Sequence, residues 1–171
     1  MSRNIEIKAR VVDMASLGQS IMRLAPHHSE RLLQDDTFFQ SASGRLKLRV
    51  LAPQQGELIY YQRPDIAGPK TSFYACTPTS DPDGLREVLT LAHGQIGRVR
   101  KQRLVHMVGR TRVHIDEVEG LGSFVELEVV LADDESIEAG VVEAHRLMHA
   151  LGIQECDLLE MSYLDLLNQA G

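Results

Sequence analysis

The sequence predicts an α+β domain built on one antiparallel sheet or barrel. Three observations carry that expectation. β-branched and apolar residues recur at period two in segment after segment. Turn signals separate many of these segments, at Ser41 to Gly44, Pro53 to Gly56, Asp65 to Pro69 and Glu119 to Gly122. A few stretches of helical spacing fall between the hairpins.

Taken in order, the strand-like segments cover roughly 3–12, 30–40, 44–52, 57–63, 70–77, 96–108, 110–117 and 123–131. Asp13 is placed to cap a helix running to Leu24, and Asp81 or Asp83 to start a second that reaches Ala92 and stops at Gly94. A third helix runs from about Asp134 to Ala150 and stops at Gly152. Its apolar positions are Ile137, Val141, Val142, Ala144, Leu147, Met148 and Leu151. No internal repeat, low-complexity tract or linker is visible, so one domain over residues 1–171 is expected.

Composition narrows the function classes. A chain of 171 residues with 43% hydrophobic and 25% charged residues can bury a sizeable core without disulfides. No apolar run approaches the ~20 residues that span a bilayer. The opening MSRNIEIKAR has no apolar region of the secretory kind. Cys76 and Cys156 are far apart, in no metal-ligand spacing, and the runs around them read as core. Reduced thiols and a cytoplasmic location are expected. The net charge of -6 argues against a general nucleic-acid binder. Yet Arg45, Lys47, Arg49, Arg63, Lys70, Arg98, Arg100, Lys101, Arg103, Arg110 and Arg112 crowd the middle of the chain, where they suit a small, highly anionic ligand if they converge.

Strand alternation gathers these charges onto faces. Asn4, Glu6, Lys8 and Arg10 lie opposite Ile5, Ile7 and Ala9. Arg45, Lys47 and Arg49 lie opposite Leu46, Leu48 and Val50. Arg110, Arg112, His114 and Asp116 oppose Val113 and Ile115; Phe124, Glu126 and Glu128 oppose Val125, Leu127 and Val129. Lys101 and Arg103 share a face. Two arrangements give this pattern. The charged faces are the solvated side of a one-sided sheet, or the sheet closes with its charged face inward. A polar-lined barrel is expensive unless an oppositely charged ligand fills it. Periodicity does not decide between them.

Motifs do. The chain opens with Asn4-Ile5-Glu6-Ile7-Lys8. Gln34-Asp35-Asp36-Thr37-Phe38-Phe39 and Gly44-Arg45-Leu46-Lys47-Leu48-Arg49 follow, then Leu58 to Asp65 and Gly68 to Ser72. Lys101 and Arg103 come next. His114-Ile115-Asp116-Glu117-Val118 then leads through Leu121 to Phe124 into Val125-Glu126-Leu127-Glu128, and Ser162 to Leu167 closes the set. Each piece alone is weak. The ordered set resembles the CYTH superfamily, also called triphosphate tunnel metalloenzymes, which includes class IV adenylyl cyclases, thiamine triphosphatases and inorganic triphosphatases. The Arg63-to-Ser72 stretch is most similar to bacterial and archaeal proteins grouped with the class IV cyclases.

The resemblance implies a closed eight-stranded antiparallel β-barrel, the triphosphate tunnel, with helices packed outside. It implies Mg2+ or Mn2+ held by Glu6, Glu126 and Glu128 with Asp116 nearby, since hard oxygen ligands suit these cations. It assigns triphosphate binding to Lys8, Lys47, Arg49, Arg63, Lys70, Lys101, Arg103 and Arg112, with Lys8 and Glu6 as the catalytic pair. Arg45, Arg98, Arg100 and Arg110 are left outside the site. The implied ligand is ATP or another triphosphate, with no nucleic acid or membrane partner and room for a homodimer. The implied activity is conversion of ATP to cyclic AMP and pyrophosphate; hydrolysis of an inorganic, nucleoside or thiamine triphosphate is the alternative, and non-catalytic polyphosphate or nucleotide binding is a third.

Two departures bear on this. Asn4 stands where the family's first carboxylate is expected, so it offers a carbonyl ligand without charge. Phe38-Phe39 follow Thr37 where some inorganic triphosphatases of the family place a tyrosine. Other motifs are missing or incomplete. There is no P-loop pattern. His145 and His149 are four apart on a predicted helix but lack the rest of a zinc motif and read as a solvated face. Tyr163 and Asp165 either close one end of the tunnel or pack.

Overall fold

The computed structural model describes residues 2–170; Met1 and Gly171, the ends of the predicted domain, lie outside the described residues. In chain order the elements are β1 (Ser2–Arg10), α1 (Met14–Arg23), β2 (His28–Phe39), β3 (Arg45–Ala52), β4 (Gln55–Gln62), β5 (Lys70–Thr79), α2 (Pro82–His93), β6 (Gln95–Val108), β7 (Thr111–Val118), β8 (Gly122–Val130), α3 (Ile137–Ala150), a 3-10 turn at Glu155–Asp157 and α4 (Tyr163–Ala170). The strands form one closed barrel in the order β1-β5-β4-β3-β2-β6-β7-β8, with every neighbouring pair antiparallel.

Closure turns the charged faces inward. Asn4, Glu6 and Lys8 of β1, Lys47 and Arg49 of β3, Lys101 and Arg103 of β6 and Glu126 and Glu128 of β8 all line the interior. The apolar faces point out and form the core beneath the helices. Ile5, Ile7, Val113, Val125, Leu127 and Val129 pack against Leu17 and Ile21 of α1 and Ala144, Leu147 and Met148 of α3. Leu85 and Leu89 of α2 cover Phe39, Leu48, Leu46 and Leu58 on the opposite side. Hydrophobic burial therefore lies outside the barrel and leaves its axis free for polar groups. Gly140 of α3 crosses here so closely that a Cβ would meet Leu131 and Ile5 at 2.6 and 2.7 Å.

Helix signals mostly hold. The Asp13 carboxylate accepts from the Ser16 amide, and the Asp81 carboxylate from that of Gly84. Gly94 ends α2 with a positive φ of 74°. Several boundaries move, three of them for visible reasons. β1 stops at Arg10, leaving Val12 exposed ahead of the cap. β2 begins at His28 because His28 and Ser29 pair with Met107 and His106 of the long β6. α3 begins at Ile137 with Ser136 as its cap, not near Asp134. The Arg3 guanidinium holds the carbonyls of Ala132, Asp133 and Glu135, so the residues before the helix form a turn.

The C-terminal segment is the unexpected part. The Leu159 amide donates to the Lys8 carbonyl, tying the chain to β1, and α4 then lies across one end of the barrel. Eight residues make a marginal helix alone. Here Ser162 and Asp165 cap each other's backbone amides. Tyr163 and Leu164 bury themselves against Phe38, Val99, Val118 and Phe124. Cys76 and Cys156, expected in core, are both exposed and unpaired. Among the described residues no helix is long and apolar enough to cross a membrane.

Candidate active site

The interior is a cavity of about 490 Å³, within the range of small-ligand sites. It has two halves. Toward α4 the walls carry Lys8, Lys47, Arg49, Arg63, Lys101 and Arg103 with Glu6, Asp36 and Glu126. Toward the opposite end the walls carry more apolar surface, with Leu32, Leu51, Val105 and Met107 beside Arg112, and with Cys76, His28 and Glu30 at the exposed rim.

Strand register fixes the cations against carboxylates. Asp36 lies opposite Arg49 on β3, and its carboxylate accepts from Arg49 at 2.8 Å and from Lys47 at 2.8 Å. Burial opposes charge on Asp36, but Arg49 and Lys47 outweigh it and hold the carboxyl well below its usual range. Asp116 lies opposite Arg103. It takes a bidentate pair from it at 2.6 Å and a bond from the Tyr163 hydroxyl at 2.8 Å. Here too burial is outweighed, by Arg103 and Lys101, and the carboxyl sits at about 2. Arg103 reaches Glu126 as well, at 2.6 Å. Lys8 meets Glu126 at 3.0 Å and lies over the Tyr163 ring, 3.8 Å from its centre. Burial and then the Arg103 charge lower Lys101 to about 7.

Arg63 is different. Its side chain is almost fully buried, its nearest carboxylate oxygen, on Glu6, is 3.9 Å away, and its Nη1 has no hydrogen-bond partner. A buried guanidinium with unused donors costs free energy unless an anion fills them. Glu6 faces Glu128 across the β1–β8 pair. Burial first, then the Glu128 charge, push its carboxyl above the usual range. Glu128 pairs with Arg112 at 2.8 Å. A ligand oxygen from each of Glu126 and Glu128 and a ring nitrogen of His114 lie within 4.8 Å of one another, close enough to share a cation. Burial and then Arg103 lower the His114 pKa, which favours the neutral imidazole.

The structure brings together Glu6, Lys8, Lys47, Arg49, Arg63, Lys101, Arg103, Arg112, Glu126 and Glu128 around one cavity. Two expected site residues do not join them. Lys70 does not line the cavity: it donates to the carbonyls of Ile66 and Leu159 at 2.7 and 3.3 Å. Asp116 faces inward but is fully buried beneath the lining, with its oxygens accepting from Arg103 and Tyr163. Arg45 pairs with Asp65 and Asp165, Arg98 and Arg100 with Asp35, and Arg110 with Glu135 and Glu143, all away from the cavity. Tyr163 lines the cavity at the α4 end, whereas Asp165 does not and pairs with Arg45 and Ser162. Asp36 and His114 were missed as site residues. Parity alone puts both on inward faces, since Asp36 shares a face with Gln34 and Phe38, and His114 with Arg112.

A closed barrel with its core outside and matched cations and carboxylates along its axis defines a class of tunnel proteins. Residues 2–163 match the CYTH domain, and the chain belongs to that family. Adenylate cyclase CyaB of Aeromonas hydrophila is 26% identical over 178 residues, covering 97% of this chain and 89% of that protein. The solved structure of the PH1012 protein from Pyrococcus horikoshii superposes with a TM-score of 0.84 at 21% identity, covering 95% and 98% of the two chains. A Hippeastrum adenylyl cyclase homologue, described as revealing a dominant triphosphatase activity, superposes with a TM-score of 0.65 at 20% identity, covering 97% and 95%. The donor set fits the divalent cation that the family implies. Glu126 and Glu128 are hard oxygen ligands side by side on the inward face, with a neutral nitrogen beside them.

Proposed function

We propose that the chain is a cytoplasmic enzyme that closes ATP to cyclic AMP and pyrophosphate, with Mg2+ or Mn2+. The observation that carries this reading is the division of the tunnel. A cation-rich inner part suits a phosphate chain, and the apolar surface that Leu32, Leu51, Val105 and Met107 offer farther out suits a nucleoside, which an inorganic polyphosphate does not need. Lys8, Lys47, Arg49, Arg63, Lys101 and Arg103 grip the phosphates. Arg63 supplies donors that no side chain fills. Glu126 and Glu128 hold the cation, which neutralises charge on the phosphates when bound. The bond from the ribose 3′ oxygen to the α-phosphorus forms as the bond to pyrophosphate breaks. Glu6, the tunnel carboxylate with raised proton affinity, takes the hydroxyl proton. Lys8 stabilises charge on the reacting phosphate from beside it.

Hydrolysis is the second reading, favoured by the activity ascribed to the Hippeastrum neighbour. Incubation with ATP, tripolyphosphate and thiamine triphosphate, each with Mg2+ or Mn2+, separates the readings. Cyclic AMP with equimolar pyrophosphate is expected. Orthophosphate without cyclic AMP transfers the assignment to a triphosphatase. Tight binding with no product leaves a polyphosphate binder, the role that the uncharged Asn4 would suit.

A further inference from the structure

We propose that His114 is a direct nitrogen ligand of the tunnel cation beside Glu126 and Glu128, making the centre a mixed oxygen–nitrogen site that selects transition-metal ions over Mg2+. This deepens the reading of a cation-dependent tunnel and rests on it.

His114 is 3% exposed, and its Nδ1 has no hydrogen-bond partner. Such an orphan costs free energy in a protein interior. The nearest acceptors are the Glu126 Oε2 and Glu128 Oε1, each 3.8 Å away. That is too long for a hydrogen bond. It is near the spacing that ligands of one ion require. Bonds of about 2.1 Å put adjacent ligand atoms roughly 3 Å apart, so a small rotation brings in the Glu128 Oε1, and the Glu126 Oε2 is shared between the cation and Arg103, which it meets at 2.6 Å. Register makes the arrangement systematic. His114 pairs directly with Glu126 across β7 and β8, and Arg112 with Glu128 on the same face. The Asn4 Oδ1, also buried and without a partner, lies in the same cavity. Where a family carboxylate would have contributed charge, this chain keeps neutral donors.

A nitrogen donor changes which ion wins. Mg2+ prefers an all-oxygen octahedron and gives up water reluctantly. Mn2+, Co2+ and Zn2+ accept imidazole readily and follow the order of increasing affinity for nitrogen ligands. His114 is thus a specificity-determining residue for the metal, distinct from the residues that grip phosphate.

The test is pulsed electron paramagnetic resonance of the full chain loaded with Mn2+, with and without tripolyphosphate. Nitrogen modulation from a directly bound imidazole is expected, and it should disappear in His114→Asn. Mn2+ affinity in that variant should fall at least about tenfold, the scale for losing metal-site partners. Mg2+ affinity should move much less, and tripolyphosphate binding should persist, which establishes that the variant is folded. The wild-type spectrum decides even if the variant does not fold. Mn2+ bound without nitrogen coupling overturns the His114 assignment and leaves the phosphate-chain reading standing. Failure to bind Mn2+ under either condition overturns both.

Discussion

Asp36 and Asp116 on one hand, and Glu6, Glu126 and Glu128 on the other, all sit on inward strand faces, yet their surroundings differ. The two aspartates are 1% and 0% exposed, and each is wrapped by cations at 2.6–2.8 Å. Their acceptor capacity is spent on Lys47, Arg49, Arg103 and Tyr163. The three glutamate side chains keep 16–23% of their surface open to the tunnel and stand close to one another. Burial and the Glu128 charge push Glu6 up, while burial of the other two is outweighed: Lys8 and Arg103 hold Glu126 well below its usual range, and His114 and Arg112 hold Glu128 below it. We therefore propose that the short acids act as templates that hold the basic side chains in place, and that the long acids act as the receptive group. One methylene in side-chain length, combined with position relative to α4, separates the two roles.

The largest expected effect breaks the receptive set. Glu126→Gln with Glu128→Gln should abolish Mg2+- or Mn2+-dependent turnover while circular dichroism stays unchanged, because the amides keep shape and lose charge. Full turnover in this double variant would move the metal elsewhere. Breaking a template should act on stability first. Asp116→Ala leaves Arg103 buried beside Lys101 with one counter-charge fewer. The expected loss is about 3–5 kcal/mol, the usual result of orphaning a buried pair. Urea unfolding at neutral pH measures it. A loss under about 1 kcal/mol would mean that Glu126 alone satisfies Arg103, and that the template role assigned to Asp116 is wrong.

The same contrast explains what was legible in the sequence. Parity placed Glu6, Lys8, Lys47, Arg49, Glu126 and Glu128 on common faces without knowledge of the fold. Whether those faces pointed inward was not legible from periodicity, because a solvated sheet and a polar barrel alternate identically. The ordered motifs supplied that step. Caps at Asp13 and Asp81 were readable because their bonds span three residues. The start of α3 was not, because Arg3 sets it from about 130 residues away. Lys70 and Asp116 were assigned by motif. Their partners, the Leu159 carbonyl and the Tyr163 hydroxyl, come from a C-terminal segment whose docking no local pattern announces. α4 did carry a local signal, since Ser162-Tyr-Leu-Asp165 has capping-box form. His114 needed register: only the β7–β8 pairing sets it opposite Glu126.

The smallest effect sharpens the comparison within the receptive set, where Glu6 lacks the close cation that Glu126 and Glu128 each have. Burial, then Glu128, raise its folded-state pKa above the ordinary carboxylate value. A raised pKa means that the folded protein binds the proton more tightly than the unfolded chain does. The stability this contributes is fully present below the unfolded pKa and is lost as pH rises through the folded one. Glutamine mimics the protonated form at every pH. Glu6→Gln should therefore melt higher than the parent at pH 8 without metal, by something on the order of 2–4 °C, the shift that ~1 kcal/mol gives a chain of this size. The two melting curves should converge as pH falls toward 4. Saturating Mn2+ should raise both proteins by similar amounts if the cation rests on Glu126 and Glu128, and should favour the parent if Glu6 is itself a ligand. Equal melting temperatures for parent and variant at pH 8 would mean that Glu6 is ionised at no cost, and would remove it as the proton acceptor of the reaction.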